Sequence, residues 1–138
     1  MDGHLGDSLD KKKKIVFIED HEYVRHVVAK RLSANGYKII TAKDGQEGLD
    51  KVKAEMPDLV ITDLALPKIN GSVIVRILKK SPAHQRIPII MLSAFVRESM
   101  GEHLDVAADF YMPKPFNSED LVGKVRELIG EGDSPEIR

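Results

Sequence analysis

The chain has 138 residues, a formal net charge of −1 and no cysteine, which excludes disulfide and thiolate chemistry and any bulk pull toward nucleic acid. Its 42% hydrophobic and 31% charged residues are ordinary for one globular domain with a real core. No apolar run approaches a membrane span and the amino terminus lacks a signal-like segment, so no membrane partner and a cytoplasmic location are expected.

Residues 1–12 have little hydrophobic content and read as a flexible lead-in. The lysines from Lys11 to Lys14 read as the solvated start of a strand, not as a nucleic-acid patch. Ile15 to Ile18 is then a buried strand that ends in Glu19-Asp20. Val24, Val27, Val28 and Leu32 give the next segment, Glu22 to Asn35, the apolar face of a helix, and Asn35-Gly36 closes it. Tyr37 to Ala42 is a second strand. Asp44 and Glu47 form a capping box for a second helix, which Pro57 stops.

Leu59 to Thr62 is a third strand, running into Asp63, and Pro67 and Gly71 break the chain behind it. A third helix follows from Gly71 to Lys80, with Ile74 and Leu78 as its buried stripe and Val73 and Ile77 outside that stripe. Ile87 to Leu92 is a fourth strand leading to Ser93-Ala94, with a proline at its start where a missing donor matters least. Arg97 to Leu104 is a short fourth helix, and Phe110 to Met112 a fifth strand ahead of Lys114-Pro115-Phe116. Asn117 or Ser118 caps a last helix whose Leu121, Val125, Leu128 and Ile129 face inward. Residues 13–130 form one domain, and 131–138 are a flexible tail. Five alternations of strand and helix predict an α/β fold, a parallel sheet with helices on both faces.

The chemistry gathers at one edge of such a sheet. The carboxyl ends of its strands carry Glu19, Asp20, Asp63 and Ser93, and Lys114 follows the fifth. Three converging carboxylates need a cation, and oxygen ligands suit Mg²⁺, which shares its shell readily with phosphate. A carboxylate can also accept a phosphoryl group, with metal, Lys114 and the Ser93 hydroxyl stabilising the transferred charge. His21, beside the acidic pair, reads as a solvated first-turn residue, because Mg²⁺ does not need imidazole.

These residues, in this order and spacing, resemble the response-regulator receiver domain of two-component signalling over about Lys13 to Gly130. The resemblance implies the flavodoxin-like sheet of order 2-1-3-4-5. It implies that Asp63 is the phosphoacceptor, with Mg²⁺ held by Glu19, Asp20, Asp63 and the backbone carbonyl of Ala65. Ser93 and Lys114 match the hydroxyl and ammonium that meet the phosphoryl oxygens. Tyr111 matches the switch aromatic that, together with Ser93, reorganises the surface around the fourth and fifth helices. A cis Lys114-Pro115 bond is also implied. Glu19 stands where aspartate is commoner, with one more methylene to absorb, and Ala107 where glycine usually ends the fourth helix. The resemblance also places Ala65 and Phe95 beside the path of attacking water, where neither offers it an orienting group, so a long-lived acyl phosphate is expected. The partners implied are a histidine kinase or histidine phosphotransfer protein upstream, and a downstream protein or fused effector domain. The resemblance further implies a signalling module that assists its own phosphorylation and dephosphorylation rather than an enzyme.

Three rivals share parts of this pattern. An aspartyl-phosphate phosphatase needs a second aspartate two residues beyond the acceptor, where Ala65 stands. A flavin carrier would have to cradle phosphate against Glu19-Asp20-His21-Glu22, which repels it. A phosphorylation-independent interaction domain of the same fold has no need of an intact acceptor site.

Overall fold

The computed structural model describes residues 12–94 and 108–132. The expected helix over Arg97 to Leu104, the departure at Ala107, Phe95 and most of both expected terminal segments lie outside the described residues.

Five strands, β1 (Lys14–Ile18), β2 (Lys38–Ala42), β3 (Leu59–Asp63), β4 (Ile89–Ser93) and β5 (Phe110–Pro113), pair in parallel in the order β2-β1-β3-β4-β5. Four helices are described among them: α1 (Glu22–Ala34), α2 (Gly45–Glu55), α3 (Gly71–Lys79) and the C-terminal α4 (Ser118–Ile129). The expected sheet order and α/β class are those observed. Alternation along β1 shows how the layers arise. Ile15 and Phe17 pack with Leu32 of α1 and Leu121 and Val125 of α4, while Val16 and Ile18 pack with Val52 of α2 and Ile74 of α3. A strand covered on both faces must be apolar at successive positions, which is why the strands read as unbroken runs.

Element ends follow local chemistry. Asp44 caps α2 by accepting from the Glu47 N–H at 2.8 Å. Glu47 returns a bond at 2.9 Å, although to Lys43 N, one residue before the cap. The helix ends because Met56 turns left-handed, at φ 47°; Pro57 bars the right-handed helical conformation from the residue before it. β4 starts at Ile89 rather than Ile87, since Pro88 has no N–H to enter the ladder. Asn117, not Ser118, caps α4, accepting from Glu119 N.

Two apolar assignments are corrected. Val27 is 41% exposed, at the edge of the stripe formed by Val24, Val28 and Leu32. On α3 the buried stripe also includes Val75; Val73 is half-buried and Ile77 exposed.

The loop after Asp63 is pressed between two helix starts. Gly71 N donates to Leu64 O at 2.8 Å, and a Cβ on Gly71 would sit 2.0 Å from the Asp63 carbonyl oxygen. On the other side, a Cβ on Gly45 would meet Ile69 O at 1.9 Å. Gly123 in α4, by contrast, has open space around it. Gly71→Ala is therefore expected to cost roughly 1–3 kcal/mol of stability through overpacking. Gly123→Ala should stabilise by about 0.4–1 kcal/mol by restricting the unfolded chain. Urea unfolding of both variants checks this; a neutral Gly71→Ala would contradict the close approach.

Candidate functional site

The hydrogen-bond ladder carries the functional side chains to one place. β1 and β3 are neighbours, so Glu19 and Asp63, which close their runs, come side by side. Leu64 N bonds to Leu92 O at 2.8 Å, extending the β3–β4 pairing just past Asp63. Ser93 pairs with Pro113, and Lys114 N donates to Ser93 O at 2.7 Å, which brings Lys114 to the same edge. The Lys114-Pro115 bond is cis, as the resemblance implied.

The side chains then meet. Glu19 is fully buried, Asp63 and Ser93 are each 3% exposed, and Asp20 is half-buried. The Lys114 ammonium lies 2.7 Å from Asp63 Oδ1 and 3.4 Å from Glu19 Oε1. The shorter contact is close in charge but poorly aligned, so Asp63 Oδ1 and Asp20 Oδ1 are both buried without a hydrogen-bond donor. Ligand atoms of Glu19, Asp20, His21 and Asp63 all lie within 4.8 Å of one another. Oxygen atoms that converge, lack donors and carry negative charge are the donor set of a hard divalent cation. Ala65 is exposed at the rim. Tyr111 is half-buried against the layer beneath α2 and α3 and pairs with Met91 across the sheet.

Glu19 absorbs its extra methylene by folding back. Its Oε2 accepts from His21 N and touches His21 Nδ1, both at 3.0 Å. Arg25, one turn into α1, donates to the Glu19 carbonyl at 2.8 Å. His21 is thus the N-cap residue of α1 with its ring on the acidic pair, not merely a solvated first-turn side chain. The sequence signal for this was its place directly after two carboxylates at a strand end. The site opens on a groove of about 600 Å³ between α1 and the β5–α4 connection, whose lining includes Tyr23, Val27, Ala94, Lys114 and Phe116.

Burial raises the Asp63 carboxyl from 3.8 to about 7, and a hydrogen bond with Glu19 adds to this; Lys114 opposes it. Burial would raise Glu19 too, but hydrogen bonds from Asp63 and His21, and the Lys114 charge, hold it below its usual value. Burial would lower Lys114, yet both carboxylates keep it raised. The two carboxyls are thus driven apart, Asp63 raised and Glu19 lowered. A group whose folded pKa is raised stabilises fully below its unfolded pKa, and that contribution is lost as pH rises through the folded value. Metal-free protein should consequently lose stability between about pH 4 and pH 7 from Asp63, by a few kcal/mol, whereas Glu19 acts in the opposite sense below its own unfolded pKa. Urea unfolding in chelator at pH 5 and pH 8 reads this; Asp63→Asn should flatten the decline, and an equal decline in that variant would contradict the assignment.

Comparison with known proteins gives the same answer as the geometry. A family model described as the response regulator receiver domain matches residues 15–126. The chain is 36% identical over 128 residues to a probable transcriptional regulator, ycf27, of Cyanophora paradoxa, covering 91% of this chain and 52% of that protein. It is 36% identical over 119 residues to the response regulator MprA of Mycolicibacterium vanbaalenii, covering 84% and 50%. The chain thus spans about half the length of the curated relatives it matches. Among solved structures, the chemotaxis response regulator CheY4 of Vibrio cholerae is similar, with a TM-score of 0.78 and 29% identity over 84% of this chain and 98% of that one. Among the described residues, no helix is long and apolar enough to cross a membrane. The chain belongs to the response regulator receiver domain family of two-component signalling.

Proposed function

We propose that Asp63 accepts a phosphoryl group from a histidine kinase or histidine phosphotransfer protein, within a receiver unit spanning residues 13–130. The observation that carries this is Asp63 itself: a carboxylate 3% exposed at a strand end, with one oxygen lacking a hydrogen-bond donor and an ammonium 2.7 Å away. In the transfer, an Asp63 oxygen forms the new bond to phosphorus while the bond from phosphorus to the donor's nitrogen breaks and its electron pair stays with the donor. The acceptor oxygen must be ionised to attack. Lys114 favours that state, and Glu19 and burial oppose it.

Glu19, Asp20, Asp63 and the Ala65 carbonyl are the residues that would hold Mg²⁺, whose chemistry is to neutralise the carboxylates and the incoming phosphoryl oxygens. The ammonium of Lys114 is placed to leave Asp63 for a phosphoryl oxygen once the acyl phosphate forms. Ser93, buried on the neighbouring strand, supplies a hydroxyl to another. Drawing Ser93 toward the phosphate would loosen the region of Tyr111, on the next strand, and so change the output surface for a downstream protein or fused effector domain.

The donor is expected to seat in the groove beside the site. Tyr23 is 77% exposed and Val27 41%, an apolar pair on α1 whose groove reaches Lys114. Two tests separate chemistry from docking. With Mg²⁺ and a small phosphodonor, the native protein should gain one base-labile phosphoryl group by mass and Asp63→Asn none; persistent acyl phosphate in that variant would contradict the assignment. Tyr23→Ala with Val27→Lys should slow transfer from a histidine-phosphorylated donor about tenfold, the effect of about 1.4 kcal/mol. Labelling by the small phosphodonor should be unchanged, and a loss of both would place these residues in the fold instead.

A further inference from the structure

The acidic pocket has a fourth potential side-chain ligand, and it is not an oxygen. His21 Nδ1 stands 3.0 Å from Glu19 Oε2 and 3.6 Å from Asp20 Oδ1, and it falls within the 4.8 Å cluster that includes Asp63. Independently of the imidazole, the Asp63 side chain is 5% exposed and its Oδ1, 2.7 Å from the Lys114 ammonium, has no aligned hydrogen-bond donor among the described residues. Among the described residues the ring nitrogen meets only Glu19 and Asp20. His21 occupies the N-cap of α1 without a side-chain capping bond, and its side chain is 70% exposed.

We propose that His21 sets the metal selectivity of this pocket, its Nδ1 completing a mixed nitrogen and oxygen donor set that favours first-row transition ions over Mg²⁺. The inference rests on reading the pocket as a divalent-cation site. Mg²⁺ is hard and gains little from imidazole, whereas Mn²⁺, Co²⁺ and Ni²⁺ accept it with affinity rising in that order. Nδ1 touches Glu19 Oε2 at 3.0 Å. To ligate, it presents its lone pair, with the ring hydrogen on Nε2. Glu19 keeps the His21 backbone N–H as a donor whichever way the ring is used.

Calorimetric titration of MgCl₂, MnCl₂ and NiCl₂ into the native protein, His21→Ala, His21→Asn and Asp63→Asn tests this. Affinity in the native protein should rise from Mg²⁺ to Mn²⁺ to Ni²⁺. His21→Ala should lower Ni²⁺ affinity by about tenfold or more, the scale on which even partners of metal ligands act. Mn²⁺ should lose less, and Mg²⁺ less than about twofold, in keeping with its indifference to imidazole. His21→Asn can still donate to Glu19 but has no imidazole, so it should behave like His21→Ala. Equal losses for Mg²⁺ and Ni²⁺, or native behaviour in His21→Asn, would reduce the ring to orienting Glu19 and overturn the proposal. Ni²⁺ binding that Asp63→Asn retains in full would place the ion on other histidines, with the same consequence. Mg²⁺ binding unchanged by Asp63→Asn would instead overturn the cation-site reading itself.

Discussion

Burying Glu19 and Asp63 side by side at the ends of β1 and β3 is the constraint that the rest of the structure answers. Two carboxylates out of water cannot both stay charged without compensation. One ammonium, Lys114, reaches both of them. With Asp20 at the rim, three carboxylates face one lysine among the described residues, which leaves them short of positive charge. Burial first, and then the hydrogen bond with Glu19 and its charge, raise the Asp63 carboxyl to about 7, so it takes up a proton when no cation is at hand. The same shortage makes the pocket receptive to a divalent cation, and then to a phosphoryl group that brings its own oxygens to Lys114.

The fold supports this arrangement by means that have little to do with charge. Parallel pairing ends every strand at one edge, and β4 and β5 continue their ladder to Lys114. The loop behind Asp63 is set by close packing at Gly45 and Gly71, where no side chain fits. Arg25 fixes the carbonyl of Glu19 from within α1, so the acidic turn is held from its backbone as well as through its side chains. The layer of Phe17, Leu32, Leu121 and Val125 on one side, and of Val16, Val52 and Ile74 on the other, keeps β1 in place beneath them.

Much of this was legible in the sequence. A strand buried on both faces must be an apolar run, and a carboxylate terminating such a run has one place to go. Asp63, Glu19, Ser93 and Lys114 were therefore singled out as candidates by position, and the structure brings them to one sheet edge. What escaped were matters of a single side chain's reach. How the extra methylene of Glu19 is accommodated is not decided by spacing; the His21 N–H and ring hold Oε2 on the turn, while Oε1 faces Lys114 within the acidic group. Val27 looked like core because it is apolar and adjacent to Val28, yet the width of a buried helix stripe depends on what packs across it. Pro57 disfavours a right-handed Met56 and so marks the helix end, but only to within a residue or so, and it does not dictate the left-handed turn that Met56 makes.

Carbon-13 NMR of the Asp side-chain carboxyls, titrated with and without MgCl₂, measures the central claim most directly. The account requires one carboxyl, absent from the Asp63→Asn spectrum, that titrates near pH 7 in chelator and loses its proton when Mg²⁺ is added at pH 6. An Asp63 carboxyl that titrates in the ordinary range near 4, and does not respond to Mg²⁺, would contradict it.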